Sequence, residues 1–352
     1  MTDSLILDAD QELLAETATQ LFRNLSPLDR LRANRDDRAS TGFDADLWQA
    51  LAEQGWIGLA VTEDQGGVGL GLAELCLLME AAGRQLATEP ILGTVVMGAP
   101  VLAAGAKHQA HQDLLGAVLE GTSFLAMPWE QGLPLVAGRP LNARLRHVVD
   151  GQVADALILS AADGSWWCIP TDREGLSRRR DQRMDCRNSA SFDLEGLIPQ
   201  AEDRLETTLD QEAHFDAVAV ALAAEMLGGA EAAFEESIEY LKTRAQFGGP
   251  IGRFQALQHR AARLYIRLNL ARSAVLAAAR TSSEQARYAS LAKASTSETF
   301  LIVAKEAVQF HGGIGMTDEC TIGFYLKRAQ GSRVMGGDEH HHRDRWARLG
   351  GY

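Results

Sequence analysis

The chain has 352 residues, enough for two or three domains with a sizeable core, and its 46% apolar and 23% charged residues are the balance of an ordinary globular protein. A formal net charge of −13 argues against non-specific nucleic-acid binding. No apolar run reads as long enough to span a bilayer, and the opening MTDSLILDADQELL is too acidic and polar for a signal or transit peptide, so no membrane association and a cytoplasmic location are expected.

The first third reads as helical. Leu13, Leu14, Ala18, Leu21, Phe22 and Leu25 recur at helical spacing, and Pro27 marks the expected end. Leu47, Trp48 and Leu51 predict a second helix stopped by Gly55. VTEDQGGVGLG (61–71) is a glycine-rich loop. Beyond it Leu72 to Gly83 is apolar and helical, Pro90 breaks the pattern, and a further helical pair spans about Val95 to Leu119. From about Gly121 the period changes. FLAM (124–127), RHVVD (146–150), ALILSA (156–161) and WWCIP (166–170) are short apolar runs separated by turn residues, which predicts strands. Trp166 and Trp167 are expected in that domain's core or an interface. The basic stretch Arg173 to Arg187, with RRR at 178–180, reads as a solvated loop. From about Glu212 three helical stripes follow: Val218 to Ile238 in steps of four, Phe254 to Val275, and Phe300, Val303, Ala307, Phe310. Such stripes bury one face each, as in an antiparallel bundle.

Two corners of this bundle carry chemistry. TRAQFGGPIGRFQALQHRAARL (243–264) places a glycine–proline turn between two helices, with Arg244, Gln246 and Phe247 at the end of the first. A guanidinium, an amide and an aromatic edge together suit a diphosphate and a heteroaromatic ring; the same residues also suit a hairpin with a capping arginine. AVQFHGGIGMTDECTIGFYLKRA (307–329) ends a helix at Gln309 and continues in a tight HGGIG loop, where Gly312 and Gly313 let backbone N–H groups approach a ligand. His311 reads as a cofactor neighbour or loop-stabilising residue. The run His340–His342 reads as surface or interface, because consecutive helical residues point about 100° apart and cannot converge on one ion. The four cysteines, far apart, are expected as reduced, mostly buried thiols, and no metal site is expected.

Together, R-x-Q-F-G-x-P-I-x-x-F-Q-x-x-Q-H and Q-x-H-G-G-I-G-M-T-D-E resemble the acyl-CoA dehydrogenase family. LWQALAEQGWIGLAVTEDQGGVGL (47–70) and LMEAAGRQLATEP (78–90) are similar to its helix–loop segment and its E-x-x-G-R helix. The resemblance implies a mostly α fold with a central β domain: an N-terminal helical domain (1–120), a small β-barrel (121–210) and a C-terminal four-helix bundle (211–352). It implies FAD as cofactor, an acyl-CoA substrate and an electron acceptor such as electron-transfer flavoprotein. It also implies a homo-oligomer, or a heterotetramer with a paralogous chain. Arg244, Gln246 and Phe247 match residues that reach the FAD of the neighbouring subunit; Gln309, Gly312 and Gly313 match the loop near its adenosine diphosphate end.

The family's reaction needs a carboxylate base, and many members carry it as the Glu of a Y-E-G-T-like motif. The matching stretch VMGGDEHHHRDRWARL (334–349) places Gly336 there, and the family's alternative location falls near Val218. The catalytic residue is therefore unassigned. Glu225, two helical turns beyond Val218, and Asp338 are candidates, with Glu225 equally readable as a buried partner of a neighbouring helix and Asp338 as a helix cap; Glu339 reads as surface. FLAMPWEQGLPLVAG (124–138) shows neither the T-E-x-x-x-G-S-D-like loop nor the W-I-[TS]-N-like strand of the family. Three readings follow: a dehydrogenase forming a 2,3-double bond in an acyl-CoA, alone or with a partner that supplies the base; a non-catalytic scaffold completing a partner's FAD site; or a flavin monooxygenase on the same fold. Members with such a degenerate subunit often serve bulky ring-containing or steroid-derived acyl chains, so the resemblance implies that substrate class.

Overall fold

Asp8 opens helix α1 (Ala9–Leu25): its carboxylate accepts the Gln11 N–H at 2.9 Å while Gln11 accepts the Asp8 N–H at 3.3 Å. This reciprocal cap satisfies two of the donors that a helix start leaves free. The helix closes at Leu25, with the Ser26 N–H on the Phe22 carbonyl; Pro27, expected to end it, lies outside the described residues. The computed structural model describes residues 6–26, 28–36, 41–281 and 283–352. In chain order α1 is followed by α2 (Asp29–Asp36), α3 (Ala45–Glu53), α4 (Leu72–Arg84), a wide π-helical segment (Ile91–Gly98), α5 (Ala99–Gly105) and α6 (Gln109–Leu119). The strands come next: β1 (Leu125–Ala126), β2 (Leu141–Val149), β3 (Ala156–Ser160), β4 (Trp166–Pro170), β5 (Leu176–Arg180), β6 (Ser189–Leu197) and β7 (Arg204–Leu205). Then follow α7 (Gln211–Thr243), the short pair β8 (Ala245–Gln246) and β9 (Gly249–Pro250), α8 (Gln255–Arg280), α9 (Gln285–His311), α10 (Ile322–Arg333) and α11 (Glu339–Leu349). The fold is mostly α with a small β domain, as the sequence predicts.

The chain forms two compact units. One comprises Leu31–Gly71 and Thr88–Val218. Its two small sheets, ordered β1-β3-β4-β7 and β2-β6-β5, share one core. Leu141, Leu145 and Phe192 of one sheet meet Leu157, Leu159, Trp167 and Ile169 of the other. Trp167 is buried in that core and Trp166 is buried against His214 and Phe215, and each indole N–H is satisfied: Trp166 on the Leu209 carbonyl at 2.9 Å and Trp167 on Ser165 Oγ at 2.9 Å. The RRR segment is the exposed edge strand β5, not a loop. Arg178 turns back to donate to the Gly151, Gln152 and Ala154 carbonyls, and positive charge on an edge discourages further strand pairing.

The other unit comprises Met1–Arg30, Leu72–Ala87 and Ala219–Tyr352. Here α4 and α7 cross so closely that their backbones touch. A Cβ added at Gly83 would lie 2.0 Å from the Glu225 carbonyl oxygen, and one at Gly228 would lie 2.0 Å from that of Glu80. The ends of the crossing are tied by charge: Arg272 of α8 binds Glu80 at 2.7 Å and Glu231 at 2.6 Å, and Arg84 binds Glu231 at 3.2 Å. The E-x-x-G-R helix thus serves the crossing: Glu80 and Arg84 supply ion pairs and Gly83 the close approach. Gly228→Ala is expected to destabilise the protein by about 1–3 kcal/mol through overpacking. Gly116→Ala, on an exposed stretch of α6 where a Cβ meets nothing within 4 Å, is expected to raise stability by up to about 1 kcal/mol. Urea denaturation of both variants checks the pair.

Helix α7 corrects one expectation. By length and mean hydropathy it is a helix that a membrane span would also satisfy. Yet 78% of its apolar window is buried inside the protein, the burial of a core helix and not of a lipid-facing one.

Candidate functional site

The end of α7 makes the first corner. The Arg244 N–H closes the helix on the Tyr240 carbonyl at 2.8 Å, and the chain turns through the β8–β9 hairpin. Phe247 sits at the tip with φ +52 and its ring 82% exposed, and Gly248 follows at φ +84. A non-glycine residue in the left-handed region is strained, and an exposed phenylalanine gains nothing from burial within its own chain. Arg253 holds the tip by donating to the Phe247 and Gly248 carbonyls, and its guanidinium lies 5.3 Å over the Phe254 ring. The exposed side chains of Arg244 and Gln246 bond to no described residue.

The end of α9 makes the second corner. His311 closes the helix, Gly312 turns the chain at φ +65, and a short 3₁₀ turn runs from Gly312 to Met316. A Cβ at Gly312 or Gly313 would meet nothing within 4 Å, so packing within the chain does not demand glycine at Gly313. Ile314 and Met316 are exposed beside them, and Gln309 is exposed as well. The two corners meet: Tyr240 stacks on His311 with ring centroids 4.2 Å apart, and its hydroxyl donates to the His311 carbonyl at 3.4 Å. A guanidinium that bonds to no described residue, an amide, a presented aromatic ring and open glycine backbone therefore occupy one end of the bundle. That donor set fits a dinucleotide's phosphates and a ring system.

Neither of the positions expected from the family resemblance to hold the base, Gly336 and Val218, carries a carboxylate. Gly336 and Gly337 lie at φ +63 and +102, and the loop they form is held from two sides. His342 Nε2 donates to the Gly336 carbonyl at 2.9 Å. Lys293, 0% exposed, donates to the Arg333 and Gly337 carbonyls at 3.0 Å each, to Ser332 O at 3.4 Å and to Ser297 Oγ at 3.1 Å. Its ammonium thus caps the C-terminal end of α10, and burial pushes its pKa down to about 7 against the pull of Glu339 and Asp338. Val218 is fully buried. Asp338 caps α11, accepting from the His340 and His341 N–H groups at 3.1 and 3.0 Å; the His341 N–H, with that of His340, holds its carboxyl below the ordinary range. Glu225, 5% exposed, pairs with the buried Arg328 at 3.0 Å.

Two surface expectations fail. Glu339 is buried and forms a two-bond pair with Arg333 at 2.5 and 2.6 Å. Of the three consecutive histidines, His340 and His341 are exposed but His342 is buried, because it points back to the glycine loop. Lys293 was not found from sequence, although its place on the buried Ala289–Thr296–Phe300 stripe of α9 carried the signal. Glu236, His311 and Cys320 also come together, with ligand atoms within 4.8 Å of one another; they are 75 and 9 residues apart in sequence order, and no local motif announces them.

The buried histidines make the fold acid-sensitive. Burial pushes His214, whose Nε2 meets the Met97 carbonyl at 2.9 Å, down to about 4; burial and then the Lys293 charge do the same to His342. Between about pH 6.5 and 4 the unfolded chain binds protons that the folded chain refuses, so stability falls as the pH drops through that window. The loss is on the order of 2–3 kcal/mol for each histidine at the acid end. Thermal melts from pH 7 to 4 are expected to slope down, less steeply in His342→Gln.

The N-terminal domain family of acyl-CoA dehydrogenases matches residues 8–122, and the C-terminal domain family matches residues 208–350. The chain is 34% identical to the acyl-CoA dehydrogenase IpdE2 of Mycolicibacterium smegmatis, over 94% of this chain and 95% of that one. The chain belongs to the acyl-CoA dehydrogenase family. This acyl-CoA dehydrogenase is also similar in structure to the Tcur3481–Tcur3483 steroid ACAD (acyl-CoA dehydrogenase) G363A variant, with TM-score 0.87 and 29% identity over 97% of this chain and 98% of that one. Likeness to the ChsE4–ChsE5 complex of Mycobacterium tuberculosis, with TM-score 0.89 and 23% identity over 98% of each chain, shows the fold. The cofactor is FAD and the chemistry is α,β-dehydrogenation of an acyl-CoA thioester.

Proposed function

We propose that this chain is one half of a heteromeric acyl-CoA dehydrogenase, holding FAD through its two bundle corners while a paralogous chain supplies the catalytic base. One observation carries the reading: glycine stands at one base position and a buried valine at the other, and neither side chain takes a proton. The reaction removes a proton from the carbon next to the thioester carbonyl as a hydride leaves the next carbon, and bound FAD supplies the hydride acceptor. In this chain Arg244 would meet the diphosphate, Gln246 and Phe247 the adjoining polar and aromatic groups, and Gln309, Gly312 and Gly313 the adenosine end. The Gly336 N–H would serve the thioester oxygen, where a donor stabilises developing negative charge. Lys293 and His342 position that loop by holding its carbonyls.

The substrate class proposed is a bulky ring-containing or steroid-derived acyl-CoA, which agrees with the steroid acyl-CoA dehydrogenase named among the structural relatives. Electron-transfer flavoprotein as acceptor, a cytoplasmic location and the domain limits at residues 120 and 210 belong to the same proposal. The test is the visible spectrum of the chain purified alone and together with its paralogue, each titrated with acyl-CoA. Flavin bleaching only in the assembled pair supports the reading; full bleaching of the isolated chain rejects it.

A further inference from the structure

Glu236 of α7, His311 at the end of α9 and Cys320 just before α10 converge from three parts of the chain, with a carboxylate oxygen, a ring nitrogen and a thiol sulfur mutually within 4.8 Å. We propose that these three side chains form a binding site for a divalent cation of the zinc class, which clamps the Gly312–Gly313 loop to α7.

Two of the three ligands, His311 and Glu236, are oriented by a second bond. The buried His311 donates Nδ1–H to the Ala307 carbonyl at 2.8 Å, so its lone pair lies on Nε2; this pairing of an inner N–H with a carbonyl is how metal-bound imidazoles are held. The stacked Tyr240 ring fixes the imidazole plane. The Thr321 hydroxyl donates to one oxygen of Glu236 and leaves the second for the ion. The donor set selects the metal. Thiolate, imidazole and carboxylate at one point suit Zn²⁺ and Co²⁺, whereas Mg²⁺ and Ca²⁺ take oxygen ligands. Charge agrees: a thiolate and a carboxylate this close repel each other, and a divalent ion makes the site neutral. Binding deprotonates Cys320 and releases that proton to solvent. Three protein ligands leave a fourth position for water.

The consequence concerns the cofactor loop. His311 immediately precedes Gly312, so an ion joining it to Glu236 and Cys320 ties the second corner to the helix that carries the first. The ion acts as a brace and takes no part in proton or hydride transfer. The site stands on its own geometry and does not depend on the flavin proposal, because its readout is metal content.

The experiment uses the full chain, metal-stripped by chelation, then equilibrated with Zn²⁺ and dialysed; elemental analysis gives the stoichiometry and competition with a chromogenic chelator gives the affinity. One Zn²⁺ per chain is expected. Cys320→Ser and Glu236→Gln are each expected to weaken binding by about 100-fold or more, since even groups that only orient ligands are worth 10–100-fold. His340→Gln/His341→Gln, which removes the exposed histidines, is expected to bind as the parent does. No stoichiometric zinc in the parent would overturn the site. So would parental affinity in Cys320→Ser, or loss of binding in the histidine double variant alone.

Discussion

Arg328→Met is expected to lose about 3–5 kcal/mol of stability, among the largest single-residue effects in this protein. Arg328 is fully buried on α10 and bonds to Glu225 Oε1 at 3.0 Å, to the Leu86 carbonyl at 3.0 Å and to the Ala87 carbonyl at 3.2 Å. The two carbonyls lie just past α4, where Leu86 has turned to φ +51 and the helix has no further donor of its own. Removing the guanidinium takes the charged partner from a buried carboxylate and a donor from each of two carbonyls. Glu225→Gln is expected to destabilise by a similar mechanism but less, because the amide still accepts one bond. The double variant Glu225→Leu/Arg328→Met is expected to recover part of the loss; the carbonyls of Leu86 and Ala87 stay bare, so recovery is incomplete. Chemical denaturation of the three variants reads this directly. If Glu225→Gln kept full stability and abolished acyl-CoA oxidation in the assembled enzyme, Glu225 would be a catalytic base and the structural reading of the pair would be wrong.

The second large effect concerns the base. The isolated chain reconstituted with FAD is expected to oxidise acyl-CoA at least about 100-fold more slowly than the pair, because a positioned general base contributes about 10²–10⁴-fold. Supplying a carboxylate at Gly336 is expected to restore little of this. That residue sits at φ +63, where a side chain costs roughly 1–2 kcal/mol, and its carbonyl is already tied to His342. Gly336→Glu thus meets strain in a loop that Lys293 also grips from Gly337. Stopped-flow bleaching of the flavin, measured for the isolated chain, the pair and the pair carrying Gly336→Glu, separates these expectations. Rapid bleaching of the isolated chain would place a base within it.

Much of the fold was legible because helical burial writes a period into the sequence. The stripe Phe300, Val303, Ala307, Phe310 is buried along α9, and Leu264, Leu268, Ala271 and Val275 are buried along α8. The first four strands were visible for the same reason, as short apolar runs. β5 was not, because an edge strand with exposed arginines carries no apolar signature, and β6 was hidden because SASFDLEGL mixes small and acidic residues. The misreading of Glu339 and the missing of Lys293 share one cause. Glu339 and Lys293 are buried by partners that sequence does not pair with them: Arg333 for one, and the last carbonyls of α10 for the other. The corners were legible as motifs, but their meeting rests on the Tyr240–His311 stack between residues 71 apart.

FAD affinity of the assembled enzyme is the most direct measure of whether these corners hold the cofactor. Two variants separate binding from folding. Arg244→Ala removes an exposed guanidinium that bonds to no described residue, and Gly313→Val adds a side chain where nothing in the chain lies within 4 Å of its Cβ. Both are expected to melt as the parent apoprotein does. Arg244→Ala is expected to weaken FAD by about 10- to 100-fold, the worth of charge-assisted bonds to a diphosphate, and Gly313→Val to weaken it by crowding the loop. Parental FAD affinity in both variants would contradict the assignment of the corners to the cofactor.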